Sequence, residues 1–485
     1  MKITKKFELF LKSKIDPRSL NENRNVSSEI TVEKENKFYK YSVGICACLG
    51  GLQYSGYQVW TASSLPYLIS VESPIQISEI QAAWMVSIYL IGETIGHLLN
   101  PLFFNRIGRK FSITLSIIIG LMGLFLIFLF DSYICLCVAR LLGGISQAIF
   151  TGCIIIYLTE IFDNNFKEIF IIIIPLIDKG GMFLFSLIAS FVTYNSVNLM
   201  ILITVIIICL SHWFIPESPY FYFIKDKDDK AIKCLRKLKG VIETKKVESD
   251  ILKIKLVILE DEKNRKVSLK NLFRNIQYRK SLMILVLLEL THQMTGIHTI
   301  YGYSEQILND SDSPLNSKYG FMIFNFFQFC AGVIEIYITE HVSERIFFIS
   351  TALIQSLSLS VLGIFFLLKN SFKIDVSSVT WLPLVSLILF GIVYTLGVAP
   401  ITNLLQGELF PLHVKGAAMT FGSILGSFFG FIGTLGYVIF KQNFGDHSPF
   451  LAYATICLVT SLIVFWKIPE IKGKSLKDNN QQMGE

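Results

Sequence analysis

Long apolar runs separated by short polar turns dominate the sequence. A run of about 20 mostly apolar residues is long enough to cross the hydrocarbon core of a bilayer. The pattern predicts twelve such spans, at residues 41–61, 81–104, 111–130, 132–157, 168–194, 197–215, 281–304, 319–340, 346–368, 379–406, 416–440 and 449–467. Because the backbone must satisfy its own hydrogen bonds in lipid, and the runs lack the ten-residue alternation of a membrane β-barrel, we expect helices.

The composition supports a membrane class of protein. Of the 485 residues, 52% are hydrophobic and 17% are charged, and the mean hydropathy is +0.54. A soluble domain carries about 25% charged residues. We therefore expect an all-α membrane protein with twelve transmembrane helices.

Positive charge is concentrated in two hydrophilic stretches. Ten Lys and Arg residues precede Tyr41, and eighteen lie between Pro216 and Lys280. The basic residues of the loops on the opposite side are Lys318, Lys369, Lys373 and Lys441. By the positive-inside rule, both stretches and both termini are expected in the cytoplasm. The formal net charge of +7 is thus explained by topology, and a nucleic-acid partner is not expected.

Catalytic chemistry is not expected. The sequence contains no Gly-rich phosphate loop, no His/Cys cluster and no nucleophile elbow. Its nine cysteines fall almost all within the spans, and their spacing fits neither a zinc site nor a redox pair. We therefore expect no enzyme activity, no metal and no cofactor. Because no cleaved signal peptide is visible, the first span is expected to act as an uncleaved anchor.

An internal repeat divides the chain. Ile215-Pro216-Glu217 follows the sixth span, and Ile468-Pro469-Glu470 follows the twelfth. The fourth and tenth spans are each followed by a glutamate and, seven residues later, a lysine. Two halves related by a parallel repeat are typical of alternating-access transporters, which bind their substrate near the midplane between the halves.

The expected domain organisation follows from this repeat. The predicted units are a cytoplasmic N-terminal segment, a six-helix half, a cytoplasmic helical linker, a second six-helix half and a cytoplasmic tail, at residues 1–40, 41–215, 216–280, 281–468 and 469–485. In the linker, "DKDDKAIKCLRKLKG" has acidic residues at its start and basic residues at its end, which favours a helix. The amphipathic segment after it predicts a second helix.

Seven short motifs occur in a fixed order along the chain. They are Asn105-Arg-Ile-Gly-Arg-Lys110, Arg140 with Gly144, Tyr157-Leu-Thr-Glu160, Pro216-Glu-Ser-Pro-Tyr220, His292-Gln-Met-Thr-Gly-Ile-His298, Gly407-Glu-Leu-Phe-Pro411 and Pro469-Glu-Ile-Lys-Gly-Lys-Ser-Leu476. In order and spacing they resemble the sugar porter family of the major facilitator superfamily, over residues 45–477. Trp60, Ser63-Ser64 and Pro175 are most similar to the insect facilitated trehalose transporter branch.

The resemblance implies the major facilitator fold and facilitative (uniport) transport of a sugar, such as trehalose or a hexose, by alternating access. It also implies a multi-pass protein of the plasma membrane, in contact with membrane lipid, whose monomer is sufficient for transport. Two alternatives stay open: a non-transporting, sugar-sensing relative, and a proton-coupled symporter of another small solute.

Charged residues near the cytoplasmic ends of the spans are expected, from the resemblance, to form a latch that biases a two-state equilibrium. In the first half they are Arg106, Arg109, Lys110, Arg140, Glu160, Lys167 and Glu217. In the second half they are Glu340, Arg345, Glu408, Lys415 and Glu470. Because the second latch has Glu344-Arg345 where the family keeps two basic residues, the expected partner of Glu408 is Arg345 or Lys415. The alternative is that all these charges only fix topology.

A sugar enters a membrane cavity only if hydrogen bonds replace its contacts with water. The resemblance places such polar groups in spans seven, eight and ten, at His292, Gln293, Thr295, His298, Tyr301, Gln328 and Asn403. The span-seven residues surround Gly296, where we expect the helix to loosen. Pro175, Asn403 and Gly426 differ from the residues that the family uses for hexoses, and this is what keeps the sensing alternative open.

Coupling to protons is expected to depend on span one. Proton-driven members of the family have an aspartate after Gly-Tyr in this span, near the arginine of span four. Here Gly56-Tyr57 is followed by Gln58, which does not titrate, and Glu93 is a potential neighbour of Arg140. The sequence therefore favours facilitated diffusion.

Two further features are notable. Asp178 and Lys179 form an adjacent charged pair inside span five, which is costly in hydrocarbon. We interpret each as pairing with another buried polar group, and a place on the aqueous path is the alternative. The sequon at Asn309 lies in a predicted outer loop, where we expect it to be available for glycosylation.

Overall fold

Helices are the regular elements of the part of the chain that the structure describes. The structure, a computed structural model, describes residues 37–162, 164–239, 244–264, 277–338 and 343–467. Within these ranges every predicted span is helical, and no strand occurs. The prediction of an all-α membrane protein is confirmed.

The spans are numbered one to twelve in chain order. The first half comprises helices Lys37–Cys48 and Gly51–Ile69 (span one), Glu79–Arg106, Arg109–Leu129, Tyr133–Ile161, Asn164–Ala189 and Tyr194–Ser211. The second half comprises Gln277–Gln293 and Ile297–Asp310 (span seven), Ser317–Ile338, Glu344–Phe366, Leu382–Val393 with Ala399–Glu408 (span ten), Leu412–Phe444 and Ser448–Lys467. The linker contains helices Pro219–Ile224, Asp228–Lys239 and Thr244–Asn264.

Two spans are interrupted. Ten stretches of the described residues are helices long and apolar enough to cross a membrane. The other two crossings, spans one and seven, are each built from two shorter helices. The helices of span seven are separated by Met294, Thr295 and Gly296, and Gly296 is left-handed with φ +77°. The break falls at the residue where the sequence predicts the helix to loosen.

Close backbone packing joins the spans of the first half. A Cβ at Gly144 in span four would lie 1.9 Å from the Tyr89 carbonyl oxygen in span two, so only glycine fits there. Small residues of this kind let membrane helices approach each other closely. Trp60 of span one is fully buried, and its indole Nε1 donates to Asn198 Oδ1 of span six at 2.7 Å.

In the second half, polar side chains link the spans. Ser356 Oγ of span nine donates to the Ala454 carbonyl of span twelve at 2.8 Å. The Tyr453 hydroxyl of span twelve donates to the Gly433 carbonyl of span eleven at 2.8 Å and lies 3.1 Å from the Thr299 hydroxyl oxygen of span seven. These bonds pack span seven firmly against its own half.

The linker helices form a small apolar cluster of their own. Phe223, Ala231, Leu235 and Ile254 are buried together, as the amphipathic pattern predicts. Cys234 Sγ donates to the Glu217 carbonyl at 3.2 Å and so joins the linker to the end of the first half. We call the membrane face at this linker the linker side, and the opposite face the far side.

The two halves touch each other near the far side. Ser190 Oγ of span five donates to the Lys318 carbonyl of span eight at 3.2 Å. Gln442 Nε2 of span eleven donates to Glu79 Oε2 of span two at 3.3 Å. These contacts close the far side, and the molecule therefore has an inward-facing arrangement if the linker is cytoplasmic.

Some local predictions need correction. The spans predicted at 81–104 and 111–130 leave six residues between them, but the turn is only two residues long, because one helix ends at Arg106 and the next begins at Arg109. Gly108 in this turn has φ +112°, and a Cβ there would lie 2.5 Å from Glu217 Oε2. Asn309 lies in the last turn of a helix and not in a loop; its side chain is exposed, while Ser311 of the sequon is buried.

Candidate functional site

A polar cavity of about 390 Å³ lies between the two halves. Spans one, two, four and five form one wall, and spans seven, eight, ten and eleven form the other. Its lining residues lie at the middle of these spans or toward their linker-side ends. Since the far side is closed by contacts between the halves, the cavity faces the linker side.

The break in span seven brings three polar side chains into this cavity. His292 and Gln293 end the first helix, and His298 begins the second helix after Gly296. A continuous helix would separate residues 293 and 298 by five positions, about 500° of rotation. In the structure they bond directly, with His298 Nε2 2.9 Å from Gln293 Oε1.

These side chains continue a hydrogen-bonded row across the cavity wall. Gln293 Nε2 lies 3.2 Å from His292 Nδ1, and His292 Nε2 lies 2.8 Å from the Tyr394 hydroxyl oxygen. The His292 and Tyr394 rings stack with their centroids 5.5 Å apart. The row is amphoteric: imidazoles, amide and phenol can each donate or accept, as recognition of sugar hydroxyls requires.

Lys179 reaches from the first half to the second. Its Nζ donates to the Tyr301 hydroxyl oxygen at 2.5 Å and lies 5.0 Å from the centroid of the same ring. The Tyr301 hydroxyl in turn donates to Gln328 Oε1 at 3.1 Å. Lys179 thus pairs with a buried polar group, as interpreted from the sequence, and Asp178 and Lys179 both line the cavity, as the alternative has it.

Arg140 lies behind the cavity wall of the first half. It is 2% exposed, and its guanidinium donates to the Tyr57 carbonyl at 3.0 Å and to the Met85 carbonyl at 3.4 Å. It also lies 4.4 Å from the centroid of the Tyr89 ring. Backbone carbonyls and a π face therefore solvate this charge, next to Gln58.

The predicted sugar-contacting residues fall into two layers. Those that line the cavity are His292, Gln293, His298 and Asn403, together with Pro175 and Gly426, where the sequence departs from the family. Thr295, Tyr301 and Gln328 are buried behind them. Thr295 Oγ1 donates to the His292 carbonyl at 3.0 Å, so its contact is with the break itself.

Several lining residues were not singled out from the sequence. They are Tyr54, His97, Gln147, Ala148, Thr151, Glu289, Glu335, Tyr394, Thr395, Ala399, Pro400, Gln406, Ser423 and Ser427. Glu289 and Glu335 could have been found, because each is a carboxylate inside a predicted span, where a charge marks function by default. Tyr394 carried no such signal, since a tyrosine in an apolar run is usually packing.

The linker-side charges of the first half form a connected cluster. Arg109 and Glu160 make a buried ion pair, with Arg109 Nη2 2.7 Å from Glu160 Oε1 and side-chain exposures of 8% and 11%. The Ser218 hydroxyl donates to the other oxygen of Glu160. Glu217 Oε1 accepts the backbone N–H groups of Arg109 and Lys110 at 2.9 and 3.0 Å. Spans three and four and the start of the linker are thereby tied together.

The other predicted latch residues have separate surroundings. Lys110 Nζ donates to the Trp213 carbonyl at 3.0 Å, whereas Arg106 is exposed and Lys167 is partly exposed. Arg345 donates to the Phe465 carbonyl, and its guanidinium lies 4.8 Å from the centroid of the Phe465 ring.

At the end of span ten, Glu408 is exposed, and a Cβ at Gly407 would lie 3.3 Å from Lys415 Nζ. Lys415 therefore lies beside the turn that carries Glu408. Glu340 and Glu470 lie outside the described residues. The latch role of all these residues stays a prediction.

The architecture and the cavity define a class. Two six-helix halves that enclose a polar cavity near the midplane are the arrangement of membrane transporters with the major facilitator fold. The inward-open conformation of the xylose transporter XylE from E. coli has this fold, with a TM-score of 0.75 and 16% identity, over 91% of this chain and 99% of that chain. Among the described residues, no group of three metal-ligating side chains that could hold a metal ion is present.

The sequence then gives the family. Residues 31–482 match the family described as "Sugar (and other) transporter", and the protein belongs to it. Facilitated trehalose transporters are among its relatives: that of Anopheles gambiae is 24% identical over 427 residues, 87% of this chain and 54% of the mosquito protein. That of Polypedilum vanderplanki is 24% identical over 475 residues, 96% of this chain and 93% of the midge protein. The chain thus spans about half the length of the Anopheles relative.

Proposed function

We propose that this protein carries a sugar across the membrane by facilitated diffusion, with trehalose and hexoses as the first substrates to test. The observation that carries the proposal is the cavity between the halves, whose wall presents the row His298, Gln293, His292 and Tyr394. A sugar that leaves solvent loses its hydrogen bonds to water. Each of these groups can replace one of those bonds at a sugar hydroxyl. The trehalose relatives make a disaccharide a reasonable cargo.

Facilitated diffusion, and not proton symport, is supported by span one. Its two helices, Lys37–Cys48 and Gly51–Ile69, contain no carboxylate. Arg140, the charge that such a carboxylate would face, is already solvated by the Tyr57 and Met85 carbonyls. Span one therefore has no carboxylate whose protonation could change an interaction with Arg140.

The location of the protein is part of the proposal. The distribution of Lys and Arg supports a cytoplasmic linker and cytoplasmic termini. We place the protein in the plasma membrane, and we propose that one chain is sufficient for transport, because the cavity is formed by a single chain.

Uptake of labelled trehalose and glucose into cells expressing the protein tests this proposal. We expect saturable uptake that persists when the proton gradient is collapsed. Gln293→Ala should reduce uptake by about tenfold, because it removes the amide that bonds both His292 and His298.

Asn443→Ala is the matched control, since Asn443 is exposed at the far side and, within the described ranges, its amide donates to the Ile439 carbonyl of its own helix. Its uptake should equal that of the wild type. No uptake of either sugar, with the protein present at the cell surface, would contradict the proposal. Uptake that stops when the proton gradient collapses would contradict the uniport mechanism.

A further inference from the structure

The cavity is rich in carboxylates. Glu93, Asp178, Glu289 and Glu335 line it, and Lys179 is the lysine among its lining residues. Lys179 is engaged with Tyr301, at 2.5 Å. Carboxyl groups in such a wall favour a cargo that brings hydrogen-bond donors or a positive charge, most strongly where water is scarce.

Glu289 is the carboxylate with the most specific placement. It is 4% exposed, and its Oε1 accepts a hydrogen bond from Gln406 Nε2. Its Oε2 is buried and has no hydrogen-bond partner among the described residues. A buried carboxylate oxygen without a donor is costly, so this geometry points to a donor that arrives from the cavity.

The neighbouring histidine does not supply that donor. Gln293 Oε1 faces His298 Nε2, so the Gln293 amide nitrogen donates to Nδ1 of His292. With Nδ1 accepting, the proton of neutral His292 is on Nε2, which faces the Tyr394 hydroxyl. His292 Nδ1 lies 3.8 Å from Glu289 Oε2 and, since it carries no hydrogen, does not donate to it.

Gly426 of span eleven provides the space for this oxygen. A Cβ at residue 426 would lie 2.5 Å from Glu289 Oε2 and 3.2 Å from Gln293 Nε2. Gly426 and Glu289 thus belong to one arrangement: the missing side chain of span eleven leaves room for a carboxylate from span seven.

We propose that Glu289 is the counter-ion for a cationic group of the cargo, and that the protein therefore prefers an amino sugar to a neutral sugar of the same size. This inference rests on the proposed sugar-carrying function. A protonated amine offers three donors, enough to satisfy Oε2 and to reach a neighbouring acceptor. Uronic acids and sugar phosphates would place a second negative group beside Glu289 and are disfavoured.

Binding to the purified full-length protein in lipid nanodiscs tests this inference directly. Labelled glucosamine is the probe, and unlabelled glucosamine, glucose, N-acetylglucosamine and glucuronate are the competitors. We expect glucosamine to compete about tenfold or more better than N-acetylglucosamine, because a hydrogen bond to a charged group is stronger than a neutral one. Glucuronate should compete least.

Three variants locate the effect. Glu289→Gln keeps the size of the side chain and its contact with Gln406 but removes the charge, and should abolish the preference for glucosamine. Glu289→Asp should retain part of the preference. Glu305→Gln is the matched control, because Glu305 is equally buried at 3% exposed and is not part of the cavity wall; its preference should be that of the wild type.

The outcomes separate this inference from the proposed function. Equal competition by glucosamine and N-acetylglucosamine, in a protein that transports neutral sugar, would overturn the inference and leave the function intact. A preference that survives in Glu289→Gln would also overturn it. Glucosamine binding that depends on Glu289, without uptake of any sugar into cells, would support the subsite while the transport proposal failed.

Discussion

At the scale of single residues, three charged side chains on the linker side, Arg109, Glu160 and Glu217, have fixed partners. Arg109 binds Glu160 with 2.7 Å between Nη2 and Oε1, and both side chains are about nine-tenths buried. Glu217 caps the first turn of span three by accepting the N–H groups of Arg109 and Lys110. This cluster therefore connects spans three and four to the linker whatever its role in switching.

Arg109→Ala should destabilise the protein strongly. It leaves Glu160 buried without its counter-charge, and removing one partner of a buried ion pair costs about 3–5 kcal/mol. Thermal unfolding of the purified variant in detergent measures the loss.

Asp228→Ala provides the comparison, because its ion pair with Lys255, also 2.7 Å long, has side-chain exposures of 52% and 35%. An exposed pair is worth about 0–1 kcal/mol, so the unfolding temperature should change little. Equal losses in both variants would show that the Arg109 pair is no stronger than a surface contact.

The resemblance to the family predicts only part of the cavity wall. His292, Gln293, His298 and Asn403 were found from the sequence, and the structure places them on the wall. Tyr301 and Gln328 lie one layer behind, because Lys179 occupies the position in front of Tyr301. A contact from the opposite half cannot be seen in the sequence of either half alone.

At the scale of elements, the interrupted spans position the polar groups. Span seven breaks at Gly296, whose φ of +77° an L-residue adopts only with strain. The sequence indicated this break through its glycine among polar residues. Span one, predicted as continuous, changes helix at Leu49 and Gly50, and the Gly50-Gly51 pair is a comparable signal for that break.

Gly296→Ala should reduce both stability and sugar uptake. Its Cβ would lie 2.5 Å from Cδ2 and Cε2 of the Tyr453 ring, and the left-handed backbone would be strained as well. Straightening of the break would separate Gln293 from His298. The unfolding temperature and the uptake rate are the two measurements.

The matched substitution is Gly436→Ala in the helix of span eleven. A Cβ there meets nothing within 4 Å, and Ala is favoured over Gly in a helix by about 0.5–1 kcal/mol. This variant should therefore be as stable as the wild type or slightly more so. If Gly296→Ala also behaved like the wild type, the break would not be needed for the cavity.

At the scale of the whole molecule, the two halves are closed on one side and apart on the other. Ser190 with Lys318, and Gln442 with Glu79, join the halves at the far side. The cavity extends from the middle of the spans toward the linker side. This is one of the two states that an alternating-access cycle requires.

The repeat in the sequence predicted two six-helix halves, and the fold confirms them. The sequence could not predict which side is closed. Both states of a transporter use the same helices and the same cores within each half, and they differ only in a few contacts between halves. Those contacts are too few and too weak to leave a pattern in one sequence.

Counterflow in proteoliposomes tests most directly whether the cavity carries a sugar by alternating access. Purified protein is reconstituted with unlabelled trehalose or glucose inside, at equal pH on both sides, and the labelled sugar is added outside. We expect transient accumulation of label above equilibrium with one of the two sugars, and accumulation about tenfold slower with Gln293→Ala. Entry that never exceeds equilibrium, or that is unchanged in the variant, would contradict it.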